Sequence, residues 1–263
     1  MKALLIGLIL SFVPYAATAG LSERDLAKIV LSPPPNAAVP LDLSLRDPDG
    51  RVVTLREAVD HRPVLLLLSD FTCRTICGPA LVIASGALEE AGLRPGVDFR
   101  LLVVGLDPED TADDARAMLR RIGNPDLAAA TSVLTGDPGV IRALTTAVGY
   151  NFVYDADVDQ FAHPAGTLVL TATGRVSRTL SSLALNPGDL RLALVEAGSG
   201  RTGTLADRLT LLCYGFDAVH GIYTLLIWRL LEAAALLTIL ALVAFVLLLQ
   251  RRHRYVSPPD SRR

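Results

Sequence analysis

Lysine is nearly absent from this 263-residue chain. Lys2 and Lys28 are the only two, and arginine carries the rest of the positive charge. Nothing resembles a basic stripe and the formal net charge is −2, which excludes a nucleic-acid binder of the usual electrostatic kind. No internal repeat is present. Cysteine and histidine are scarce, at three and four residues, so soft-metal or thiol chemistry has few candidates to draw on. The acidic run Asp155, Asp157 and Asp159 lacks the glycine and terminal glutamate of a calcium loop and reads as a solvated loop. What is abundant is apolar: 51% of residues are hydrophobic, the mean hydropathy is +0.42, and the excess lies in two segments at the ends.

The first segment begins Met1-Lys2, continues as an apolar run over 3–13, and meets Pro14 and then Ala17-Thr18-Ala19. A short basic start, an apolar stretch and a small-x-small site make residues 1–19 a signal peptide, and the body that follows is exported. In the second segment residues 233–249 carry no charge, and the apolar character reaches back to 222 if Arg229 and Glu232 are tolerated. That uncharged run spans roughly 25 Å as a helix, slightly short of the hydrocarbon core. Arg251, Arg252 and Arg254 follow at once, as on the cytoplasmic side of a membrane. The expectation is a transmembrane helix over 222–250 and a cytoplasmic tail over 251–263. The functional domain then lies in the periplasm, on the inner membrane of a bacterium.

Between these segments, 20–39 reads as a linker containing Pro33-Pro34-Pro35, 40–200 as one domain, and 201–221 as a juxtamembrane stretch. Residues 64–69 form a continuous apolar run, as expected of a central strand covered on both faces. A helix is expected over about 76–91, a second buried strand over 99–106, and a helix over 111–122 capped by Thr111. A short strand over 132–134 precedes a helix over 137–148, with Asp137 as cap, Pro138 at its first position and Gly149 ending it. Strands over 167–171 and 175–180 flank the turn Ala172-Thr173-Gly174, and 187–197 is a closing helix. The fold class is α/β: a thioredoxin-like sheet with flanking helices, plus one C-terminal transmembrane helix.

Cys73 and Cys77 follow the central strand in a Cys-x-x-x-Cys spacing. A helix beginning near Cys73 puts residues four apart on one face. Its unpaired amides and dipole lower a thiol's pKa there. The thiolate is both a nucleophile and a soft ligand, so two functions stay open beside an inert disulfide. They are thiol–disulfide exchange and binding of a soft ion such as Cu(I). Exchange motifs in this fold usually have two intervening residues; three stand here. Cys213 reads as a buried thiol near the membrane interface.

Of the histidines, His253 lies in the tail and His220 near the membrane. His61 precedes the 64–69 strand and so sits roughly 20 Å from the cysteines, at its wrong end. His163 precedes the 167–171 strand. In a thioredoxin-like sheet that strand runs antiparallel to the one before the cysteines, which brings His163 within reach of them. Two thiolates and one imidazole suit Cu(I), or Cu(II) with a further ligand, whereas structural zinc normally has four protein ligands. Asp107 is expected to begin a turn and Asp110 to help cap the next helix. Pro164 is a candidate for the cis-proline that faces the cysteines in thioredoxin-like redox proteins.

The segments Phe71-Thr72-Cys73-Arg74-Thr75-Ile76-Cys77, Gly105-Leu106-Asp107-Pro108-Glu109-Asp110-Thr111, Val133-Leu134-Thr135-Gly136 and His163 resemble the Sco/SenC family in order and spacing. That family comprises copper-binding, thioredoxin-fold proteins. The resemblance covers about 40–197. It implies a membrane-anchored metallochaperone, or a thiol reductant, in assembly of the CuA centre of cytochrome c oxidase. Cys73, Cys77 and His163 would be its copper ligands. The implied partners are the CuA-bearing subunit or another copper acceptor, and a thioredoxin-like reductant. Arg74 and Gly78 stand where many members have proline, Pro164 where serine is common, and the anchor is C-terminal rather than N-terminal. The alternative function is a membrane-anchored periplasmic thiol–disulfide oxidoreductase.

Overall fold

The computed structural model of the chain describes residues 21–73, 77–198, 214–217, 222–225 and 227–254. The expected signal peptide and Cys213 lie outside the described residues. In chain order the elements are α1 (Glu23–Leu26), β1 (Val30–Leu31), β2 (Ser44–Arg46), β3 (Val52–Thr54), α2 (Leu55–Val59), β4 (Val64–Ser69), α3 (Cys77–Glu90) and β5 (Arg100–Gly105). Then come α4 (Ala112–Leu119), α5 (Pro125–Ala129), β6 (Thr131–Leu134), α6 (Pro138–Ala147), β7 (Tyr150–Asn151), β8 (Val153–Asp155), β9 (Gln160–Ala162), β10 (Gly166–Leu170), β11 (Val176–Ser181) and α7 (Pro187–Ala197). β12 (Tyr214–Asp217), β13 (Ile222–Leu225) and α8 (Ile227–Arg254) complete the order.

A five-stranded sheet in the order β11-β10-β4-β5-β6 organises the domain. β4 runs parallel to β5, and β5 to β6, whereas β10 is antiparallel to β4 with Leu168 opposite Leu66. Every residue of β4 is buried, as a strand covered on both faces requires. Successive side chains point to opposite faces, so one apolar run supplies two cores. Leu65, Leu67, Leu101, Val103 and Val169 pack with Leu81, Leu88 and Met118 on one face. Leu66, Leu68, Leu102, Val104 and Leu168 pack with Leu55, Ile141 and Leu144 on the other. Each such buried side chain contributes about 1.5–3 kcal/mol of transfer free energy.

Local signals set the helix starts. Thr111 caps α4, with a reciprocal bond from Asp114 that makes a capping box, so two orphan amide groups are satisfied at once. Pro138 opens α6 after Asp137, whose side chain makes no cap bond. Gly149 ends that helix at φ +64. A side chain at this position would meet the Ser32 carbonyl oxygen at 2.1 Å, so the turn into β7 requires glycine. β7 pairs with β1, with Tyr150 opposite Leu31. The expected loop before His163 is instead a hairpin: β8 pairs with β9 around Asp157, and Phe161 packs against Phe152 and Tyr154.

α8 is a continuous helix of 28 residues. All of its described side chains, 235–248, are exposed, among them Leu237 and Leu248. Among the described residues no helix is long and apolar enough to cross a membrane, and the expected helix over 222–250 begins instead as the strand β13 before α8 starts at Ile227.

Candidate metal and thiol site

The functional candidates gather where β4 ends. After Ser69 the chain turns, and the Cys73 N–H donates to the Asp70 carbonyl at 3.3 Å. Cys73 is half-buried. The bond to Asp70 closes a turn at Cys73, and the described part of α3 begins at Cys77.

Asp70 is fully buried at 0% exposure and holds this turn from inside. Its Oδ1 accepts from the Thr72 N–H at 3.0 Å and the Thr72 hydroxyl at 2.9 Å. Its Oδ2 accepts from the Phe161 N–H at 3.1 Å. One carboxylate therefore ties the cysteine turn to β9, two residues before His163. Sequence reasoning passed over Asp70, because its partners are set by the fold and no local spacing marks them.

Two more carboxylates stand beside it. Oxygens of Asp70, Asp107 and Asp110 lie within 4.8 Å of one another. Asp107 does begin a turn, accepting from the Glu109 N–H at 2.8 Å. Burial pushes its carboxyl up, against the pull of that amide, and Asp70 and Asp159 add repulsion. Asp110 does not cap α4. It reaches across to accept from the Phe71 N–H at 3.2 Å, passing over Gly105, where a side chain would meet it at 2.5 Å. Burial pushes the Asp110 carboxyl up to about 8, the Phe71 amide opposing and Asp107 and Asp70 reinforcing. At neutral pH it is therefore mostly protonated, which relieves part of the repulsion in the cluster.

His163 lies just past β9 and before β10. The antiparallel register of β10 on β4 puts this segment near the C-terminal end of β4, as topology led one to expect. Its Nδ1 is 2.8 Å from the Tyr150 hydroxyl and 3.1 Å from the Pro164 carbonyl oxygen. Burial lowers the imidazole pKa, against the Pro164 carbonyl and the Asp70 charge that raise it. The ring is thus neutral at neutral pH, the form that ligates metal. A cavity of about 20 Å³ lined by Leu68, Ala80, Met118, His163, Pro164 and Ser182 lies beside it, room for roughly one water molecule. Among the described residues no peptide bond is cis, so Pro164 does not take the form expected of it.

The other histidines stand apart. His61 is exposed at the start of β4, with φ +54, at the end opposite the cysteines. His253 belongs to α8, and His220 lies outside the described residues. Half-buried sulfur at Cys73 and a neutral imidazole fit a soft ion such as Cu(I) better than a hard one. The carboxylate of Asp70 and the carboxyl of Asp110 are instead engaged by backbone amides.

No protein-family model and no curated protein matches the sequence. Solved structures do match. A SCO1/SenC family lipoprotein from Bacillus anthracis str. Ames superposes with a TM-score of 0.54 at 15% identity, over 64% of this chain and 99% of that one. BsSco, described as a member of the Sco family of cytochrome c oxidase assembly proteins with a disulfide switch, gives 0.52 at 19% identity, over 65% and 98%. Copper-bound yeast Sco1 gives 0.51 at 16% identity, over 66% and 94%. The fold is that of the Sco structures. The likeness extends over nearly the whole of each of those chains, so the extra length of this chain lies outside the shared domain.

Proposed function

We propose that this chain is a membrane-anchored copper-binding protein that acts in assembly of the CuA centre of cytochrome c oxidase. It holds Cu(I) or Cu(II) through Cys73, Cys77 and His163. It passes the ion to the CuA-bearing subunit or another copper acceptor, or keeps that centre's cysteines reduced with a thioredoxin-like reductant behind it. The observation that carries this reading is a half-buried His163 hydrogen-bonded beside the end of β4, the strand from which the Cys73 turn departs. Two thiolates and an imidazole form a donor set suited to copper. A Sco fold, shared with one protein solved with copper bound and another described as an oxidase assembly protein, supports the same assignment.

The anchor is α8. Its uncharged run, 233–249, lies within a continuous 28-residue helix and spans about 25 Å at 1.5 Å per residue, close to the roughly 30 Å of hydrocarbon. The apolar side chains described along it are exposed, and Arg251, Arg252 and Arg254 mark its cytoplasmic end. With a signal peptide over 1–19, the copper domain faces the periplasm.

The test is an anaerobic Cu(I) titration of the full chain in detergent. About one equivalent is expected to bind tightly, and Cys73→Ser, Cys77→Ser and His163→Ala each to lose it. If His163→Ala binds copper as the parent does, while disulfide reduction depends on both cysteines, the copper reading gives way to a membrane-anchored thiol–disulfide oxidoreductase.

A further inference from the structure

Tyr150 is buried to 1% exposure, and its hydroxyl lies among three polar groups. It is 2.8 Å from His163 Nδ1, 2.9 Å from the Pro164 carbonyl oxygen and 3.3 Å from the Leu68 carbonyl oxygen. His163 Nδ1 is itself 3.1 Å from the Pro164 carbonyl. The two rings stack with centroids 6.1 Å apart.

Counting protons fixes the direction of these bonds. The phenol has one proton, and the two carbonyls only accept. If the phenol gave its proton to Nδ1, that nitrogen would turn a lone pair toward the Pro164 carbonyl, and the phenol would have no proton left for either carbonyl. With the proton on Nδ1, the imidazole donates to the phenol oxygen or the Pro164 carbonyl, and the phenol donates to a carbonyl. This arrangement leaves a single carbonyl facing the phenol oxygen, where the other leaves three pairs of acceptors face to face. It puts the imidazole lone pair on Nε2.

The position of the phenol has causes of its own. Gly149 turns the chain out of α6, β7 is fixed by pairing with β1, and Leu68 is one residue from the end of β4. The hydroxyl therefore links the histidine segment to the strand that leads into the cysteine turn.

We propose that Tyr150 is a positioning residue for His163: its hydroxyl holds the imidazole as the Nδ1–H tautomer and ties it to the end of β4, so that Nε2 is the nitrogen offered to a soft ion. This rests on the copper reading above. An outer-shell partner of this kind typically governs metal affinity through the orientation and basicity of the ligand it touches.

The experiment uses the full chain in detergent, with Cu(I) affinity measured by competition against a chromogenic chelator. Tyr150→Phe is expected to weaken binding by about 10- to 100-fold. His163→Ala combined with Tyr150→Phe is expected to bind no more weakly than His163→Ala alone. Parent-like affinity in Tyr150→Phe overturns the proposal, as does an equal further loss in the His163→Ala background, which would mean the tyrosine acts through the fold at large. If His163→Ala itself binds as the parent does, the three-ligand copper reading fails instead, and the tautomer alone then decides the tyrosine's role. Nitrogen-15 NMR of the metal-free parent reads that tautomer without any variant having to fold. A protonated Nδ1 beside an unprotonated Nε2 is expected, and an Nε2–H tautomer sinks the proposal.

Discussion

The two ends of β4 make opposite use of polar residues. At the C-terminal end Asp70, Asp110, Tyr150 and His163 are buried or largely so, and each makes hydrogen bonds to a segment distant in sequence. At the other end Asp60, His61 and Arg62 stand in solvent or half in it, and the short pairs are local, Arg62 with Asp60 and Arg94 with Asp98 at 3.1 Å, while Arg100 reaches Asp60 from β5 at a longer 3.9 Å. Buried polar groups unpartnered are costly, so their networks are over-determined and specify geometry. Exposed ion pairs are worth little because water competes for both partners. His163 stands at the first end and His61 at the second, so under the copper proposal only His163 is placed to serve the cysteines.

The contrast can be broken from the backbone. Gly149→Ala would set a side chain against the Ser32 carbonyl at 2.1 Å, in a backbone with φ +64. Destabilisation of about 3–5 kcal/mol is expected in urea melts. Displacement of β7 should remove the Tyr150 contact to His163, so copper affinity should fall with stability.

A second lever is the proton on Asp110, whose folded-state pKa of about 8 lies above the ordinary carboxylate value. A raised carboxyl stabilises the fold fully below the unfolded pKa near 4, and this contribution is lost as pH rises toward 8. Asp110→Asn keeps an oxygen to accept from Phe71 and cannot ionise. The parent should therefore lose about 2–4 kcal/mol relative to this variant between pH 5 and pH 8, less than the full linkage of about 1.4 kcal/mol per unit because the site relaxes. Equal slopes for both proteins would mean that Asp110 is not the group that titrates.

The smallest effect should come from the far end. His61 sits at φ +54 in solvent, so His61→Gly relieves a mildly strained backbone and removes no buried bond. A stability change under about 1 kcal/mol is expected, with copper affinity unchanged. A clear loss of copper in this variant would erase the distinction between the two ends.

Much of the fold was legible because its signals are local. The apolar run at 64–69 matches β4 residue for residue, Thr111 caps α4, Pro138 opens α6, and the closing helix is Pro187–Ala197 as read. The hairpin of β8 and β9 was not legible, since its acidic turn resembles a solvated loop and its aromatic contacts pair residues up to nine apart. Asp110 was read as a cap because it precedes a helix, yet its partner is the Phe71 amide on another strand's exit. Cys73 and Cys77 were evident from spacing alone, and His163 followed from strand direction.

What the sequence determined by itself is the set of reactive side chains, the covered central strand and the apolar C-terminal segment, since each depends on residue type and short-range periodicity. What only the tertiary structure decided is the surroundings of those side chains. Tyr150 reaching Leu68 and His163, Asp70 bridging the cysteine turn to Phe161, and Asp110 holding a proton are contacts between residues brought together by sheet order. Their strength comes from burial, which exists only once the two cores have closed.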